Sequence, residues 1–497
     1  MKLRFYTALI LAKMAHCAIK ILGKSSGTSF SGMLALKICP KFLKYCSKYI
    51  KNDIVTITGT NGKSTTSGII AHILETAHQR VIHNLEGANM LTGIANVFAL
   101  NVHPFARYDY GVLESDEAYL TKLYDYMDAD WLVVTNLFRD QLDRYGELNT
   151  TAGYIKDAIS KNPNLKLILN ADDPLVATFS AAKPVEAAKQ LGSYAAKLSH
   201  APSPDGEGWD GVISIDNSEI LQEQLTDKNL STFQPFNHST NTNRSSVYYG
   251  FECVEYDTTY QHTSNAPSEV FNCACGHPLK YSKQFFAQEG HYYCESCGYK
   301  RPKPDYPASV KVFNDYSIIT LDIKGVKFEF RVNLTGLYNA YNALAGIAFG
   351  FENGLNQAEI QKALDSYKSI FGRTETRIIN GNPVLIQLIK NPTGASEVLK
   401  TVDLNSNIVI AINDNYADGR DISWLWDSDF EQLKNAQKLV ITSGTRANDM
   451  AVRLKYAGIP QEKIIIEPNI KSAIDMASKE GKTTVLPSYT VLLGIKE

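Results

Sequence analysis

Residues 53–65 read Asp-Ile-Val-Thr-Ile-Thr-Gly-Thr-Asn-Gly-Lys-Ser-Thr, and this stretch decides the fold class. The apolar and β-branched run 53–58 predicts a buried strand, the two glycines that follow predict a turn, and the sequence from Lys63 to about Thr76 predicts a helix. Further strands are predicted at 109–114, 131–135 and 165–169, with helical stretches between them. Strands that alternate with helices predict an α/β fold with a parallel sheet covered on both faces.

The turn also has the chemistry of a phosphate-binding loop. Glycines let backbone N–H groups approach phosphate oxygens, and a helix N-terminus favours negative charge. Lys63 can reach terminal phosphates, and the hydroxyl of Ser64 or Thr65 can bind Mg²⁺. Ile57 stands where the standard loop has its first glycine, but the strand–turn–helix context favours an ATP site over a glycine turn with a solvated lysine. The predicted nucleotide-binding residues here are Gly59, Thr60, Asn61, Gly62, Lys63, Ser64 and Thr65.

The remaining sequence predicts three regions and one insertion. Residues 1–52 are expected to form a basic N-terminal helical segment, and residues 53–370 a central ATP-binding domain. Residues 371–497 are expected to form a C-terminal Rossmann-like α/β domain. Ser, Thr, Asn and Pro dominate 185–250, which predicts a surface insertion. Further strands are predicted within 309–332 and at 383–389, 407–412, 438–442, 463–466 and 483–486, and helices near 338–350 and 357–367.

The composition is that of a large globular protein. The chain has 497 residues, of which 44% are hydrophobic and 21% charged, and its formal net charge is −2. A near-neutral chain does not offer the large basic surface that bulk nucleic-acid binding requires. Four of the eight cysteines are scattered and four lie between residues 273 and 297, a pattern that indicates a reduced, cytoplasmic protein with a metal site rather than a disulfide framework.

The N-terminal segment is strongly basic. No Asp or Glu occurs before Asp53, while ten Lys and Arg residues do. The apolar run 5–12 is too short to span a bilayer, Lys13 and Lys20 interrupt its continuation, and no convincing cleavage site of a signal peptide follows. Two interpretations stay open: a basic helix that rests on an anionic membrane surface, at the inner face of the membrane, or a helix packed on the body with solvated lysines.

The clustered cysteines predict a zinc ribbon over about residues 270–302. Cys294-Glu-Ser-Cys297-Gly is a clear metal knuckle, and Cys273-Ala-Cys275-Gly is its expected partner. The first knuckle is irregular, because Asn272 stands where a regular Cys-x-x-Cys would begin, and His277 and His291 are therefore alternative ligands. Four protein ligands would close the site, so the zinc is expected to be structural.

The spelling of residues 59–65 resembles the ATP loop of the Mur ligases and the folylpolyglutamate synthases. More segments resemble that family in the same order, over roughly 53–175 and 330–497: Asn84 to Asn89 with Gly93, Glu114, Asn136 to Glu147, Asn170 to Pro174, Gly336 to Asn342, and Gly372-Arg373-x-Glu375. The resemblance implies that Mg²⁺ is bound by Ser64 and Glu114, and that Lys63 and Glu114 are catalytic. It also implies further nucleotide contacts from Asn89, Asn136, Asn339, Asn342 and Arg373.

Two departures from the family bear on the acceptor. Gln141 stands where Mur ligases that add amino acids have a metal-binding His, which puts a second Mg²⁺ in doubt. Residues 387–392, Gln-Leu-Ile-Lys-Asn-Pro, replace the family's Asp-x-Tyr-Ala-His-x-Pro, which serves the incoming amino acid. The family's modified lysine has no evident counterpart either. These differences suggest that the acceptor is not an ordinary amino acid.

The segments 391–394, 413–426 and 442–446 resemble the MurT branch of the family. This resemblance implies that ATP phosphorylates the α-carboxyl of D-glutamate in the stem peptide of lipid II, and that ammonia from a glutaminase partner of the GatD type then forms the amide. None of the eight cysteines lies on the Gly-flanked turn that a class I glutaminase nucleophile needs, so glutamine hydrolysis would require another chain. Asp414, ahead of Asp418 and Asp421, is the candidate to support the partner's Cys–His pair.

Two other functions stay open at this stage. One is a Mur-type or folylpolyglutamate-type ligase that adds an amino acid, against which Gln141 and the replaced 387–392 segment argue. The other is a nucleotide-bound scaffold whose zinc ribbon binds nucleic acid, against which the near-neutral charge argues. The presence of both Lys63 and Glu114 favours an enzyme over a scaffold.

Overall fold

The computed structural model describes residues 2–21, 29–84, 88–103, 105–140, 148–181, 245–257, 269–368 and 373–496. Within these ranges the strands form a nine-stranded sheet, a six-stranded sheet and a two-stranded hairpin. Helices cover both faces of the two large sheets, so the predicted α/β class is confirmed.

The first part of the chain alternates strands and helices as predicted. Its elements are α1 (Lys2–Ile21), α2 (Phe30–Ile38), α3 (Phe42–Cys46), β1 (Ile54–Thr58), α4 (Lys63–Thr76), β2 (Val81–His83), α5 (Leu91–Asn101), β3 (Tyr110–Glu114), α6 (Glu117–Tyr126), β4 (Trp131–Val134), α7 (Leu148–Lys161) and β5 (Lys166–Asn170). The middle part contains β6 (Ser246–Tyr256), β7 (Lys280–Phe286), β8 (Glu289–Tyr293), β9 (Tyr306–Val312), β10 (Ser317–Ile323), β11 (Val326–Val332), α8 (Leu337–Glu352) and α9 (Gln357–Ser366).

The last part builds the second sheet. Its elements are β12 (Arg373–Ile379), β13 (Asn382–Gln387), α10 (Pro392–Leu399), β14 (Asn407–Ala411), α11 (Trp424–Asp427), β15 (Val440–Ser443), α12 (Ala447–Tyr456), β16 (Ile464–Ile466), α13 (Ile470–Lys479), β17 (Thr483–Pro487) and α14 (Tyr489–Lys496). The strand order is β12-β13-β17-β14-β15-β16, and only the β12–β13 pairing is antiparallel among these described strands.

The order of the large sheet fixes where a ligand can bind. It runs β11-β10-β9-β6-β5-β4-β1-β3-β2, parallel from β2 to β9 and antiparallel at the β9–β10–β11 edge. The connection after β1 runs to β2 at one edge of the sheet, whereas the connection after β3 runs back past β1 to β4 on its other side. In open α/β sheets such a switch point leaves a crevice at the carboxyl ends of the strands. The turn that follows β1 therefore opens into this crevice.

Close packing of two helices completes the crevice. Gly346 and Gly350 of α8 face Ile69 and Ile73 of α4, and a Cβ added at Gly346 would lie 2.6 Å from Ile69 Cγ2. A side chain there would push the helices apart, because the interior has no room for further atoms. The glycines thus hold the N-terminal turn of α8, which carries Asn339 and Asn342, against the start of α4.

The basic N-terminal segment packs onto the large sheet's outer layer. Buried side chains of α1 and α3, among them Phe5, Leu9 and Phe42, share one apolar core with α5, α6 and α7. Within the described residues, no helix combines the length and the apolar character that crossing a membrane requires.

Three boundaries differ from the sequence prediction. Residues 246–250 were expected in the insertion 185–250, but they form the start of β6, which pairs with β5 and β9 inside the sheet. The rest of that insertion up to residue 244 lies outside the described residues. β2 and β12 were not predicted, because β2 has three residues and β12 alternates charged and polar residues in Arg-Thr-Glu-Thr-Arg.

Candidate active site

The predicted phosphate loop occupies the switch point of the large sheet. It connects the end of β1 to Lys63, the first residue of α4. Gly59 and Gly62 have φ angles of 122° and 86°, a region that residues with a Cβ rarely adopt. A Cβ at Gly62 would also lie 2.0 Å from Asn342 Oδ1. Glycine is therefore required at this position both for the turn and for the approach of α8.

Lys63 is a buried cation among acidic side chains. Its Nζ donates to Gly59 O at 2.6 Å and forms an ion pair with Glu117 Oε1 at 2.9 Å. Burial by itself lowers the pKa of Lys63, but Glu117, Asp116 and Glu114 outweigh it and leave that pKa above its usual value. Burial raises the pKa of Glu117, which Lys63 opposes. The ammonium group therefore remains charged at the point where α4 begins.

The acid Glu117 owes its position to a helix cap. Asp116 caps α6 by accepting a hydrogen bond from Ala118 N at 3.1 Å, so the helix begins at Glu117 beside the loop. Glu117 was not predicted as a site residue. The signal was present in Val-Leu-Glu-Ser-Asp-Glu, where an Asp-Glu pair follows Glu114 after one serine.

The structure brings the predicted magnesium ligands together. Ser64 Oγ donates to Glu114 Oε2 at 2.5 Å, and Asn89 Nδ2 lies 3.4 Å from Glu114 Oε1. The amide of Asn84 fixes the backbone of Glu114, accepting from its N–H at 2.7 Å and donating to its carbonyl at 2.8 Å. A hydroxyl beside a carboxylate offers the oxygen ligands that a small divalent cation takes.

Asn136 shapes the phosphate loop from the next strand. Its Oδ1 accepts from Asn61 N at 2.9 Å and its Nδ2 donates to Asn61 O at 3.2 Å. Thr135 Oγ1 also donates to Asn61 O, at 2.7 Å. Because both backbone groups of Asn61 are held, the loop is pre-organised, and a ligand would not have to order it.

A cavity of about 840 Å³, including its open mouth, lies between the large sheet and the C-terminal domain. The loop residues Asn61 and Gly62 line one side. Asn339 and Asn342 line it from α8, where Asn342 accepts from Thr66 Oγ1 at 3.3 Å and donates to Asn339 Oδ1 at 3.2 Å. Aromatic walls with a few fixed amides are the usual lining of a small-molecule pocket, and here the aromatic wall consists of Phe138, Phe286, Tyr338 and Tyr341.

A second and larger cleft, of about 1310 Å³, adjoins the other side of Lys63. Lys63, Glu114 and Glu117 line it from the large sheet. The C-terminal domain contributes the opposite wall, which includes Asn413, Ala417, Asp418, Trp424, Ser488 and Tyr489. The cleft therefore joins the phosphate-loop lysine to a wall of the second domain, with space for a large polar substrate.

Lys390 and Asn391 connect the two domains at the loop. Lys390 Nζ pairs with Asp140 Oδ2 at 2.5 Å and donates to Thr60 O at 3.2 Å, and the side chain lines both cavities. Asn391 Nδ2 donates to Asn61 Oδ1 at 3.0 Å, while Asn391 Oδ1 caps α10 by accepting from Gly394 N at 2.8 Å. From the sequence, 387–392 was identified as a departure from the family and 391–394 as a MurT-like segment, but Lys390 was missed as a cation at the loop.

A third interdomain contact carries a titratable group. Thr393 Oγ1 donates to Glu269 Oε1 at 3.0 Å, and the backbone N–H of Arg139 donates to the other carboxyl oxygen. Burial raises the pKa of Glu269 to about 7, although these hydrogen bonds act in the opposite direction. The contact between the domains therefore includes a carboxyl that is partly protonated near neutral pH.

The four predicted zinc ligands meet at one point. The Cys273–Cys297 and Cys275–Cys294 sulfur pairs are each separated by 3.5 Å, and all four sulfurs lie within 4.8 Å of one another. Tetrahedral zinc–thiolate bonds place sulfurs about 3.8 Å apart, so the cluster fits zinc. His277 Nδ1 is 3.6 Å from Cys275 Sγ, whereas His291 Nε2 is hydrogen-bonded to Phe251 O at 2.9 Å and lies outside the cluster.

The ribbon also forms part of the nucleotide cavity. The hairpin β7–β8 joins the two knuckles, and Phe286 and Glu289 at its turn line the cavity. Glu289 is buried and accepts from Asn170 Nδ2 at 2.8 Å. Arg301, just after the second knuckle, forms a buried ion pair with Asp172 Oδ1 at 2.5 Å. These contacts tie the ribbon to the sheet at the carboxyl end of β5.

The three candidate aspartates have different surroundings. Asp414 is half-buried, pairs with Arg446 Nη2 at 2.6 Å and accepts from Thr445 Oγ1 at 2.9 Å. The Arg446 guanidinium holds the pKa of Asp414 below its usual value. Asp418 is buried and accepts from Thr490 N at 2.7 Å, and Asp421 accepts from Ser423 N at 2.8 Å.

Several residues of the predicted motifs lie outside the described part of the chain. Gln141 and residues 85–87 lie outside the described residues, as does Gly372. The backbone of Arg373 begins β12, but its side chain also lies outside the described part of the chain.

Comparisons with known proteins place the chain among the Mur ligases. The model of the MurT ligase C-terminal family matches residues 388–492, and that of the Mur ligase middle domain matches residues 57–203. Among curated proteins, subunit MurT of the glutamine-hydrolysing lipid II isoglutaminyl synthase of Streptococcus pneumoniae is 31% identical, over 100% of this chain and 97% of its own length.

Solved structures share the fold at low sequence identity. A pseudomurein peptide ligase type C from Methanothermus fervidus superposes with a TM-score of 0.60 at 21% identity, covering 92% of this chain and 82% of its own. The MurF ligase of Thermotoga maritima, in complex with ADP, has a TM-score of 0.53 at 12% identity and covers 92% of this chain and 81% of its own. At these identities the likeness concerns the fold alone.

Proposed function

Because this chain belongs to the MurT family of Mur ligases, we propose that it is the synthetase subunit of a lipid II isoglutaminyl synthase. It is an ATP-dependent carbon–nitrogen ligase of peptidoglycan synthesis that converts D-glutamate in the lipid II stem peptide to D-isoglutamine. The observation that supports this most directly is the 31% identity to a protein of that name over the whole chain. The geometry of the phosphate loop and its acids supports the same reaction class.

The proposed reaction has two steps. In the first, an oxygen of the α-carboxylate bonds to the γ-phosphorus of ATP, and ADP leaves. In the second, ammonia attacks the carbonyl carbon of the acyl phosphate, phosphate leaves with the electron pair, and the nitrogen loses a proton to form the amide. Such transfers depend chiefly on positioning and on charge neutralisation.

Lys63 and the start of α4 would supply that neutralisation. The buried ammonium lies within the loop, whose backbone N–H groups and helix N-terminus would bind the terminal phosphates of a nucleotide. Ser64 and Glu114 are the residues that would hold Mg²⁺, and a magnesium ion would neutralise charge on the phosphate oxygens. Lys390 would add a second cation on the side of the C-terminal domain.

The nucleoside would occupy the smaller cavity. Asn339 and Asn342 line it beside the loop, and Asn136 holds the loop backbone. Asn89, which contacts Glu114, and Arg373, at the junction of the domains, complete the proposed set. The stem peptide would enter the larger cleft, whose wall carries Lys63 and Glu114.

Zinc would be structural at the four-cysteine cluster. All four sulfurs face one another, which leaves no position for a substrate. The metal would hold the hairpin β7–β8, whose turn contributes Phe286 to the nucleotide cavity.

Ammonia would come from a separate glutaminase subunit of the GatD type. Four cysteines form the metal cluster, Cys39 and Cys46 are buried, and Cys17 and Cys253 lie in a helix and a strand. None of these has the exposed Gly-flanked turn of a glutaminase nucleophile. The C-terminal domain would dock the partner, and the ionised, half-buried Asp414 is the candidate to orient its catalytic histidine. The complex would work in the cytoplasm, at the inner face of the membrane that holds lipid II.

The deciding experiment is mass spectrometry of lipid II incubated with the chain, Mg-ATP and ammonium chloride. Carboxyl-to-amide conversion should lower the mass by about 1 Da per stem peptide, and only when ATP is present. The glutaminase partner is not needed in this assay, because ammonium chloride supplies the ammonia. A gain of one whole residue with an amino acid, and none of this loss with ammonia, would instead identify an amino-acid-adding ligase. A gel shift with nucleic acid at physiological salt, without amidation, would favour the scaffold alternative.

Asp414→Asn provides a separate test of the partner's role. With glutamine and the glutaminase subunit, amidation should fall by roughly a hundredfold or more, because an amide cannot stabilise a charged imidazole. With ammonium chloride the variant should retain wild-type activity. Asp427→Asn, an exposed acid on α11, is the matched control. Equal losses with both nitrogen sources would show that Asp414 supports the fold or the synthetase site instead.

A further inference from the structure

Helix α1 is apolar on two opposite faces. Phe5, Ala8, Leu9 and Ala12 are buried against α2, α3 and α5. On the other side, Leu3, Ile10, Met14 and Ile21 are 80%, 58%, 61% and 85% exposed. Their spacing of seven, four and seven residues places these four on one stripe, about 170° around the helix from the buried face. A helix packed on a protein by one face has no internal need for a second apolar stripe.

The charge around this stripe has one sign. Residues 1–52 and 88–108, which include all of α1, α2, α3 and α5, contain no Asp or Glu. Cationic side chains on the same layer are exposed to solvent, namely Arg4, Lys20, Lys37, Lys41, Lys44 and Lys48. An apolar stripe on a layer whose charged residues are all cationic is complementary to a surface that is apolar inside and negatively charged outside.

We propose that the α1 stripe, the residues Leu3, Ile10, Met14 and Ile21, docks this protein on an anionic phospholipid bilayer. The four side chains enter the boundary of the acyl chains, and the surrounding cations lie among the headgroups. A second copy of the chain is the poorer occupant, because a two-fold contact would bring two layers without any acid face to face. Exposed apolar residues of α2, Phe30 and Met33, extend the apolar surface of the same layer.

The layer lies next to the mouth of the larger cleft. Gly32 of α2 approaches α5 so closely that a Cβ would lie 1.8 Å from Thr92 O, and Ser31 Oγ donates to Asn96 Oδ1. The residue that precedes α5, Met90, lines the cleft. The cleft that would receive a lipid-borne carboxylate, and that Lys63 also lines, thus borders the helix layer that would rest on the bilayer. This last step rests on the proposed function, whereas the docking itself does not.

Vesicle co-sedimentation of the full-length chain tests the docking. Binding should be strong to vesicles of phosphatidylglycerol and phosphatidylcholine, weaker to phosphatidylcholine alone, and reduced by salt. The double variant Ile10→Glu/Met14→Glu should bind the anionic vesicles at least about tenfold less, because two apolar anchors become anions. Ile378→Glu/Val452→Glu, at exposed apolar positions 70% and 49% accessible on the C-terminal domain, adds the same charge and should bind normally.

Three results would overturn the proposal. The first is that the wild-type chain does not bind anionic vesicles, and the second is that the stripe variant binds them as well as the wild type does. The third is that the wild-type chain is a dimer in solution, the stripe variant is a monomer, and neither binds vesicles. Amidation of detergent-dispersed lipid II with ammonia should be equal in both double variants, and only the stripe variant should lose activity on lipid II in vesicles. Normal vesicle binding with no amidation by any form would refute the proposed function and leave the docking intact.

Discussion

Replacing Lys63 with methionine should lower ATP-dependent amidation by at least about a thousandfold, because the variant loses the buried cation beside the phosphate loop. The loss should appear equally with ammonia and with glutamine, since the lysine acts before nitrogen enters. Methionine keeps the length of the side chain but carries no charge. Amidation measured by mass spectrometry, together with ATP hydrolysis, gives the readout.

Stability has to be separated from chemistry in this variant. Methionine leaves Glu117 buried without its partner, and removing one member of a buried ion pair costs about 3–5 kcal/mol. The double variant Lys63→Met/Glu117→Gln removes both charges and should recover most of the thermal stability, but none of the activity. Lys122→Met, on the exposed face of α6, is the control for lysine loss elsewhere. Activity within tenfold of wild type in the double variant would refute the assigned role of Lys63.

Removal of zinc should be the most damaging change to the structure. Chelation, or the double variant Cys294→Ser/Cys297→Ser, should abolish about one equivalent of bound zinc per chain and lower the melting temperature clearly, because structural zinc supplies about 10–16 kcal/mol of folding free energy in small zinc domains. ATP affinity should fall by at least about tenfold as well, since Phe286 and Glu289 line the nucleotide cavity. Calorimetric titration with a non-hydrolysable ATP analogue measures that affinity.

The matched control replaces the same number of cysteines, two, at positions outside the metal cluster. Cys17→Ser/Cys253→Ser changes two thiols outside the cluster and should leave zinc content and nucleotide affinity unchanged. Full zinc content in Cys294→Ser/Cys297→Ser would show that the metal, if any, is bound elsewhere. Zinc loss with unchanged ATP affinity would show that the nucleotide cavity does not depend on the ribbon.

The features that sequence reasoning found are those encoded in short contiguous segments. The phosphate loop, Glu114 at a strand end and the cysteine knuckles each depend on spacing within a few residues, and the structure brings each set together. Strand β2 and the start of β6 could not be predicted from the sequence. β2 is too short for a periodic signal, and the first residues of β6 follow a polar stretch without a break in composition.

The missed site residues have a common cause. Glu117 reaches Lys63 only because β3 lies beside β1, and Lys390 reaches Thr60 only because the second domain packs on the first. Neither neighbourhood can be read from local spacing, since register and domain packing depend on the whole fold. Phe286 and Glu289 were missed for the same reason. The cysteine spacing predicts a metal ribbon that stabilises the fold, but it does not predict that the ribbon forms one wall of the nucleotide cavity.

The contact between Asn61 and Asn391 joins residues that are 330 positions apart. Asn342, which packs against Gly62, is also distant in sequence: it contacts Thr66, which lies 276 positions earlier. During synthesis the ribosome therefore releases the phosphate loop long before the residues that enclose it, and such distant contacts form late. A nascent chain would already hold the loop through Thr135 and Asn136, but it would lack the wall that α8 and the C-terminal domain supply. Competence to bind nucleotide would arise only near the end of translation, so incomplete chains would not sequester ATP.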